Sequence, residues 1–169
     1  EYILSQIINN KKELASWKKK ISGLKSDQSL PADIEDETLQ MFNSYQSYLK
    51  KNNLFDFDDL ILEPIRLFQN YPDILSGCRN IYKWILIDEF QDIDPLQYIF
   101  IKYLTDGPDA NIYIIGDPNQ AIYGFRGADV KLSEKFKADY PSYHTYELAQ
   151  SYRCTDRILQ ASAGILNTT

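Results

Sequence analysis

The sequence has few of the features that mark secreted or membrane proteins. Its 169 residues include only two cysteines, Cys78 and Cys154, which lie too far apart in sequence to suggest a metal-binding pair. So few cysteines favour reduced thiols in a cytoplasmic compartment. No apolar run approaches the roughly twenty residues that a membrane-spanning helix needs. We therefore expect a cytoplasmic protein without a membrane partner.

The chain lacks an excess of positive charge, because its 24 acidic residues outnumber its 18 lysines and arginines and give a formal net charge of -6. An acidic chain can still bind nucleic acid, since a local basic or aromatic groove is enough to hold a single strand. The only histidine, His144, suggests no catalytic pattern. The sequence Gly-x-x-x-x-Gly-Lys-Ser/Thr, whose backbone amides cradle nucleotide phosphates, does not occur.

Two short apolar runs that end in polar residues are the most informative features present. Trp84–Asp92 reads WILIDEFQD, and Asn111–Asp117 reads NIYIIGD. Near-continuous apolar strands of this kind are typical of a parallel sheet covered by helices. Ligands of such sheets bind at the carboxyl ends of the strands. The sequence therefore predicts an α/β fold with a ligand site formed by Asp88, Glu89, Gly116, Asp117 and Gln120.

The residue types at these strand ends favour phosphate chemistry. Magnesium prefers one or two carboxylates together with phosphate oxygens and water, so Asp88 and Glu89 are candidate metal ligands. The second carboxylate can also orient or deprotonate an attacking water. The alternative is that both acids only cap the start of a helix. We interpret the pair as a site for nucleotide hydrolysis.

The first fifty residues are predicted to be helical. Ile7, Leu14 and Ile21 recur at seven-residue spacing, which predicts one long amphipathic helix, followed by a loop over residues 23–36. A second apolar stripe from Leu39 to Leu49 predicts another helix. The lysines of the first helix either lie along DNA or form a solvated surface.

From Phe55 onward, helices and strands alternate. A helix over the Phe57–Phe68 region contains Pro64, which should kink or split it, and Asp94 should cap a later helix. The acidic group Asp56, Asp58 and Asp59 is better explained by helix capping than by metal binding. The predicted strands are Lys83–Asp88, Ile112–Ile115 and Tyr143–Leu148, and the last two predicted helices are Lys131–Ala138 and one that carries Ile158 and Leu166.

Four ordered motifs resemble those of the superfamily 1 DNA helicases of the UvrD/Rep/PcrA family. They are Phe55–Ile61 (FDFDDLI), Asp88–Asp92 (DEFQD), Gly116–Asp129 (GDPNQAIYGFRGAD) and Leu148–Arg153 (LAQSYR). The resemblance implies a partial RecA-like P-loop NTPase domain with a parallel sheet, preceded by a segment of a helical subdomain. It also implies a 3′–5′ helicase that uses ATP and Mg²⁺.

The resemblance also implies roles for individual residues in the nucleotide site. Asp88 would hold Mg²⁺, and Glu89 would act as the general base. Gln120 would contact the γ-phosphate and the attacking water. Tyr152 would stack on adenine, and Arg153 would reach the γ-phosphate. Gln91 and Asp92 resemble residues that link the nucleotide site to the DNA side, although a hydrogen bond at a helix start explains them equally well.

The DNA side is expected in the loop that follows the second strand. Tyr123 and Phe125 resemble an aromatic pair that stacks on the bases of single-stranded DNA, although the family usually has tryptophan in place of Phe125. Packing into the core is the alternative for both rings. Arg126 would pair with phosphate or with nearby carboxylates. The expected partners are single-stranded and duplex DNA, with repair or recombination proteins, and the protein would be nucleoid-associated when on DNA.

The missing phosphate loop suggests that the chain is one piece of a larger motor. Residues 1–54 are expected to end a helical inserted subdomain, residues 55–149 to form the second half of the first RecA-like domain, and residues 150–169 to start the link to a second motor domain. The isolated chain is expected to be inactive. Alternatives are a non-catalytic DNA- or protein-binding module, or the helicase subunit of a helicase–nuclease.

Overall fold

The computed structural model describes residues 2–8, 11–26, 34–106, 111–121 and 131–166. Within these ranges the chain forms eight helices and two strands. The helices are α1 (Tyr2–Ile7), α2 (Lys11–Ser26), α3 (Asp36–Lys51), α4 (Asp59–Asn70), α5 (Pro72–Ile81), α6 (Pro95–Thr105), α7 (Lys131–Asp139) and α8 (Asp156–Leu166), and the strands are β1 (Trp84–Ile87) and β2 (Asn111–Ile114). Short 3₁₀ turns occupy Phe90–Asp92 and Pro118–Gln120.

The chain divides into two compact units. The first comprises Glu1–Leu86 and Asp94–Tyr113, and the second comprises Ile87–Ile93 and Ile114–Thr169. Among the described residues, no helix is both long and apolar enough to cross a membrane. The division predicted from sequence, at residues 54 and 149, refers to the domains of a larger motor and stays a prediction.

Two apolar clusters hold the first unit together. One joins α1, α2 and α3 through Leu4, Ile8, Ile21, Tyr45 and Leu49. In the other, Leu62 and Ile65 of α4 pack with Leu96 of α6. Ile65 is only 1% exposed, and burying a side chain of this size contributes roughly 1.5–3 kcal/mol. The apolar spacing that predicted helices in this region therefore also identifies their packed faces.

An ion cluster is buried in the first unit. The ammonium group of Lys25, at the end of α2, donates hydrogen bonds to Asp56 at 2.7 Å and to Asp59 at 2.6 Å. Asp56 also accepts a hydrogen bond from the Tyr45 hydroxyl at 2.8 Å and one from the backbone N–H of Asp59 at 2.9 Å. The last contact satisfies the first N–H of α4, although the residue that directly precedes the helix is Asp58, whose side chain makes no capping bond. We call Lys25, Tyr45, Asp56 and Asp59 the Lys25 cluster.

Burial and hydrogen bonding shift the pKa values within this cluster. Burial acts to raise the pKa of Asp56, but the hydrogen bonds from Lys25, the Asp59 backbone and Tyr45 outweigh it, so the pKa lies below its ordinary value. Burial, reinforced by the hydrogen bond to Asp56, raises the pKa of the Tyr45 hydroxyl. Asp56 is therefore held ionised and Tyr45 is held neutral.

The two strands form a parallel sheet. The N–H of Asn111 donates to the carbonyl of Lys83 at 3.0 Å, and the N–H of Ile115 donates to the carbonyl of Ile87 at 2.8 Å. The sequence separation between donor and acceptor is the same in both bonds. A constant offset is the mark of parallel pairing. The prediction of a mixed α/β fold with a parallel sheet is confirmed at this level.

Several predicted elements near the amino terminus need correction. The single long helix is wrong, because α1 ends at Ile7 and α2 begins at Lys11. The loop expected from Gly23 is also wrong at its start, because α2 continues to Ser26. Pro64 does not split its helix, since α4 runs through it. A proline removes only one backbone donor, and the packed face of α4 keeps the helix together.

The predicted third strand is absent from the described part of the chain. Residues 143–148 are exposed and have no regular secondary structure, and none of the described backbone hydrogen bonds pairs them with a strand. Alternating side chains make a strand only where a neighbouring strand accepts the backbone hydrogen bonds. The sequence pattern also missed α5, which begins with Pro72 at a position where helices tolerate proline.

Candidate active site at the strand ends

Two adjacent carboxylates follow the last residue of β1. The side chains of Asp88 and Glu89 are both exposed, and the Asp88 carboxylate accepts the backbone N–H of Glu89 at 2.9 Å. Glu89 has a left-handed backbone, with φ of 53° and ψ of 43°. This conformation costs a residue other than glycine on the order of 1–3 kcal/mol and is concentrated at functional sites. The chain therefore turns sharply enough at Glu89 to leave two acidic groups at the strand end.

The end of β2 carries a second polar group. Asp117 accepts hydrogen bonds on its two carboxylate oxygens, from the backbone N–H of Asn119 at 3.0 Å and from the side-chain amide of Gln120 at 2.7 Å. The first of these bonds caps the 3₁₀ turn that contains Gln120. Asp117 therefore fixes both the turn and the orientation of the Gln120 amide.

A buried glutamine joins the two strand ends. Gln91 is 5% exposed and donates a hydrogen bond from its side-chain amide to the Glu89 carboxylate at 2.6 Å. Its amide oxygen accepts the backbone N–H of Asp117 at 3.1 Å. The backbone adds a further tie, since the N–H of Phe90 donates to the carbonyl of Ile115 at 2.9 Å. These contacts lie within the second unit and hold the two polar groups together.

The 3₁₀ turn that carries Gln91 is itself packed on α7. Phe90 is buried, and its ring meets the ring of Phe136 with centroids 5.6 Å apart in an edge-on arrangement. Phe136 in turn packs against Tyr140, with centroids 4.7 Å apart. The exposed acids therefore sit on a backbone that is anchored by an aromatic core.

No basic side chain neutralises these acids within the described ranges. None of the ion pairs there includes Asp88, Glu89 or Asp117. The described residues also contain no group of three or more histidine, cysteine, aspartate or glutamate side chains that could hold a metal. Magnesium does not require such a group, because it takes one or two carboxylates and completes its shell with phosphate and water. Two exposed carboxylates beside an amide fit that chemistry.

Asp92, which ends the 3₁₀ turn, has a different environment. One of its carboxylate oxygens is buried and has no hydrogen-bond partner in the part of the chain that the structure describes. A buried acceptor of this kind is uncommon in folded proteins. Asp92 therefore differs from Gln91, whose amide is bonded at both ends.

The remaining predicted site residues lie elsewhere. Tyr152 and Arg153 are exposed in the segment before α8, and the Tyr152 hydroxyl donates to the Gln150 side chain at 3.1 Å. No hydrogen bond among the described residues links Tyr152 or Arg153 to the strand ends. The predicted DNA-binding residues Tyr123, Phe125 and Arg126 lie outside the described residues.

Sequence reasoning missed what Asp117 does and left the contacts of Gln91 open. Both residues act through bonds between segments that are 26 residues apart, which no local pattern reveals. The available signal was the Gly-Asp pair at the end of an apolar run, where the glycine permits a close approach. The Gly-Asp pair indicates that another segment of the chain lies close, but it does not identify the residue that makes the contact.

Comparison with known proteins finds similarity to helicases, both by a family match and by individual relatives. A family described as the UvrD/REP helicase N-terminal domain matches residues 2–141, a range that includes both strand ends and stops before Tyr152. An ATP-dependent DNA helicase PcrA of Staphylococcus aureus (strain Mu50) is 37% identical over 154 residues, which cover 86% of this chain and 21% of that relative. The PcrA of Leuconostoc citreum is 36% identical over 155 residues, covering 87% of this chain and 21% of that relative. The chain thus spans about a fifth of the length of the curated relatives it matches.

Proposed function

The chain belongs to the UvrD/REP helicase family, and we propose that it serves in an ATP-dependent DNA helicase as part of the nucleotide site. The observation that carries the proposal is the pair of exposed carboxylates at the end of β1, joined by hydrogen bonds to the polar end of β2. A scaffold has no physical need for two exposed acids, one of them on a left-handed turn and neither in an ion pair with a described residue. A site that receives a metal-bound phosphate does.

Asp88 and Glu89 take separate roles in this proposal. Asp88 would hold Mg²⁺ through water, and the metal would supply charge neutralisation for the phosphate oxygens. Glu89 is the general base that orients the attacking water and accepts its proton. A positioned base of this kind contributes typically 10²–10⁴-fold to a rate. Because Gln91 donates to one Glu89 oxygen, the other oxygen is left to meet the water.

Gln120 serves as the sensor of the γ-phosphate. Its side-chain nitrogen is engaged by Asp117, so its oxygen can accept a hydrogen bond from the water. Tyr152 stacks on adenine and Arg153 reaches the γ-phosphate, by likeness to the family. The exposure of both side chains in the described structure leaves them accessible to a ligand. An arginine suits this position because its planar fork stays charged and binds phosphate.

We place DNA binding in the loop that follows β2. Tyr123 and Phe125 stack on bases of single-stranded DNA, each at roughly 1–3 kcal/mol, and Arg126 pairs with phosphate or nearby carboxylates. Stacking accepts every base, which a motor that moves along DNA requires. By family likeness the motor moves 3′ to 5′, unwinds duplex DNA and works in repair, replication or recombination in the cytoplasm.

The proposal also assigns the chain a place within a motor. Residues 1–54 end a helical insertion, residues 55–149 are the second half of a RecA-like domain, and residues 150–169 begin the link to a second motor domain. The sequence contains no Gly/Lys phosphate loop, so hydrolysis needs residues that these 169 do not supply. The isolated chain is therefore proposed to be inactive.

The variant Glu89→Gln in the full-length gene product tests the proposal. We expect DNA-stimulated ATP hydrolysis to fall by 10²–10⁴-fold, because the amide cannot accept the proton of water. Binding of a fluorescent ATP analogue should be retained, since the shape of the site is unchanged. The measurements are steady-state ATPase with and without single-stranded DNA, and nucleotide titration.

Glu134→Gln is the matched control. Glu134 is an exposed glutamate of α7 that pairs with Lys137 at 2.8 Å, and its loss should leave turnover unchanged. Turnover in Glu89→Gln that equals the wild type would remove Glu89 as the base.

A further inference from the structure

Gln91 is the only described polar residue of the site that is buried on the scale of a core residue, at 5% exposed. A buried amide is stable only when its donor and its acceptor are both satisfied. Both are satisfied here, by the Glu89 carboxylate at 2.6 Å and by the Asp117 backbone at 3.1 Å. Gln91 therefore contacts the ends of both strands at the same time.

The orientation of the Gln91 amide follows from its partners. The Asp117 backbone N–H can only donate, so the group facing it must be the amide oxygen. The ionised Glu89 carboxylate can only accept, so the group facing it must be the amide nitrogen. Neither an ionised glutamate nor a methionine at this position could satisfy both partners, because neither offers a strong donor and an acceptor together.

Gly116 leaves the space that the Gln91 amide occupies. A Cβ atom at Gly116 would lie 2.8 Å from the Gln91 side-chain oxygen and 3.2 Å from the Cβ of Phe90. The first distance is too short for a carbon and an oxygen that are not bonded. Any larger residue at Gly116 therefore pushes the Gln91 amide away from Asp117. The same movement disturbs the hydrogen bond from Gln91 to Glu89.

The connection continues beyond Asp117. The backbone of Asp117 binds Gln91, and its carboxylate binds the side chain of Gln120 at 2.7 Å. We propose that Gln91 is a positioning residue that sets the orientation of Glu89 and, through Asp117, the place of the Gln120 turn. The general base and the phosphate sensor then move together. This inference rests on the proposed function of Glu89 and Gln120, and it adds the residue that fixes their relative positions.

The variant Gln91→Met in the full-length protein tests this role. Methionine keeps the length and volume of the side chain but removes both hydrogen bonds. We expect kcat for ATP to fall by about 10–100-fold, the usual loss when a supporting partner of a reactive group is removed. KM for ATP should stay near the wild-type value, since Gln91 touches no nucleotide in this account. Gly116→Ala should give a loss of the same kind.

Gln97→Met is the matched control. The Gln97 side chain accepts the backbone N–H of Asp94 at 3.2 Å as part of the α6 cap, away from the strand ends. Its loss should leave kcat unchanged. If Gln97→Met lowered kcat as much as Gln91→Met does, general loosening rather than positioning would explain the effect, and the inference would be overturned.

The two proposals fail separately. If Glu89→Gln abolishes turnover while Gln91→Met matches the wild type, only the positioning role is wrong. If Glu89→Gln keeps full turnover, the assignment of Glu89 as base is wrong, and Gln91 then has no base to position.

Discussion

Two acidic groups in this chain have opposite environments. The carboxylates of Asp56 and Asp59 bind the ammonium of Lys25, whose side chain is 1% exposed, inside the first unit. Asp88 and Glu89 are exposed in the second unit, without an ion-pair partner in the described ranges. Acidic side chains thus stabilise the packing of helices in the first unit, and in the second unit they remain accessible to a ligand.

The difference shows which carboxylates can serve a ligand. A carboxylate that is shielded from solvent and already accepts hydrogen bonds from an ammonium group has little capacity left for a metal or a water. An exposed acid retains that capacity but adds little to stability. The sequence already favoured helix capping for the first group and nucleotide chemistry for the second, but it gave no contact that explains the difference. Burial and the location of the compensating lysine separate them.

Removing the lysine from the buried group should have the largest effect on stability. Lys25→Met leaves the buried carboxylate of Asp59 and the half-buried carboxylate of Asp56 without their cation, which costs about 3–5 kcal/mol. We expect the amides of α2 and α4 in the full-length protein to lose this amount of opening free energy, as measured by native-state hydrogen exchange. Lys19→Met, at an exposed position of the same helix, should change it by less than about 0.5 kcal/mol. Equal effects of the two variants would contradict the structural role of the Lys25 cluster.

Removing the tyrosine hydroxyl should have a smaller effect. Tyr45→Phe deletes the hydrogen bond to Asp56 while Lys25 still compensates the charge. A hydrogen bond to a charged group contributes about 1.5–3 kcal/mol, and we expect a loss at the lower end in the same exchange measurement. Tyr48→Phe, at a half-buried position of the same helix, is the control and should be nearly neutral. A null result for Tyr45→Phe would show that the hydroxyl adds nothing to the cluster.

Acid should weaken the first unit through Asp56. Its pKa in the folded protein lies below the ordinary value of 3.8, so the unfolded chain binds more protons in acid. The stabilisation is complete above that value and is lost as the pH falls through it toward the folded pKa. Hydrogen exchange of α4 between pH 5 and 3 should show this loss in the wild type.

The same titration in Lys25→Met should be flatter, because the main groups that lower the pKa of Asp56 include Lys25. Burial raises the pKa of the neighbouring Asp58, so protonation of Asp58 in acid favours the folded state and opposes the effect of Asp56. Burial is the main cause of this shift with or without Lys25. The difference between the two titrations therefore reports on the carboxylates near Lys25, which include Asp56 and Asp58. Identical slopes would mean that Lys25 does not hold Asp56 ionised.

Local signals in the sequence predicted a large part of the fold. Asp94 followed by Pro95 predicted the start of α6, and the structure adds a reciprocal capping bond with Gln97. The apolar runs predicted both strands within one residue at each end. These elements depend on residues within a few positions of one another, which is why sequence reasoning succeeds there.

Contacts between distant segments could not be predicted in the same way. Lys25 meets Asp59 across 34 residues, and Gln91 meets the Asp117 backbone across 26. Neither residue stands out locally, because a lysine at a helix end and a glutamine after an acid are both common. The false third strand has the same cause, since strand formation depends on a partner that residues 143–148 lack in the described structure.

In this account Asp88 and Glu89 take part in ATP hydrolysis, whereas Asp56 and Asp59 only stabilise the fold. The direct test is the single-turnover rate of hydrolysis of bound ATP in the full-length protein, for Glu89→Gln and for Lys25→Met at a temperature where both are folded. We predict a loss of 10²–10⁴-fold for Glu89→Gln and a nearly unchanged rate for Lys25→Met. A wild-type rate in Glu89→Gln would contradict the account.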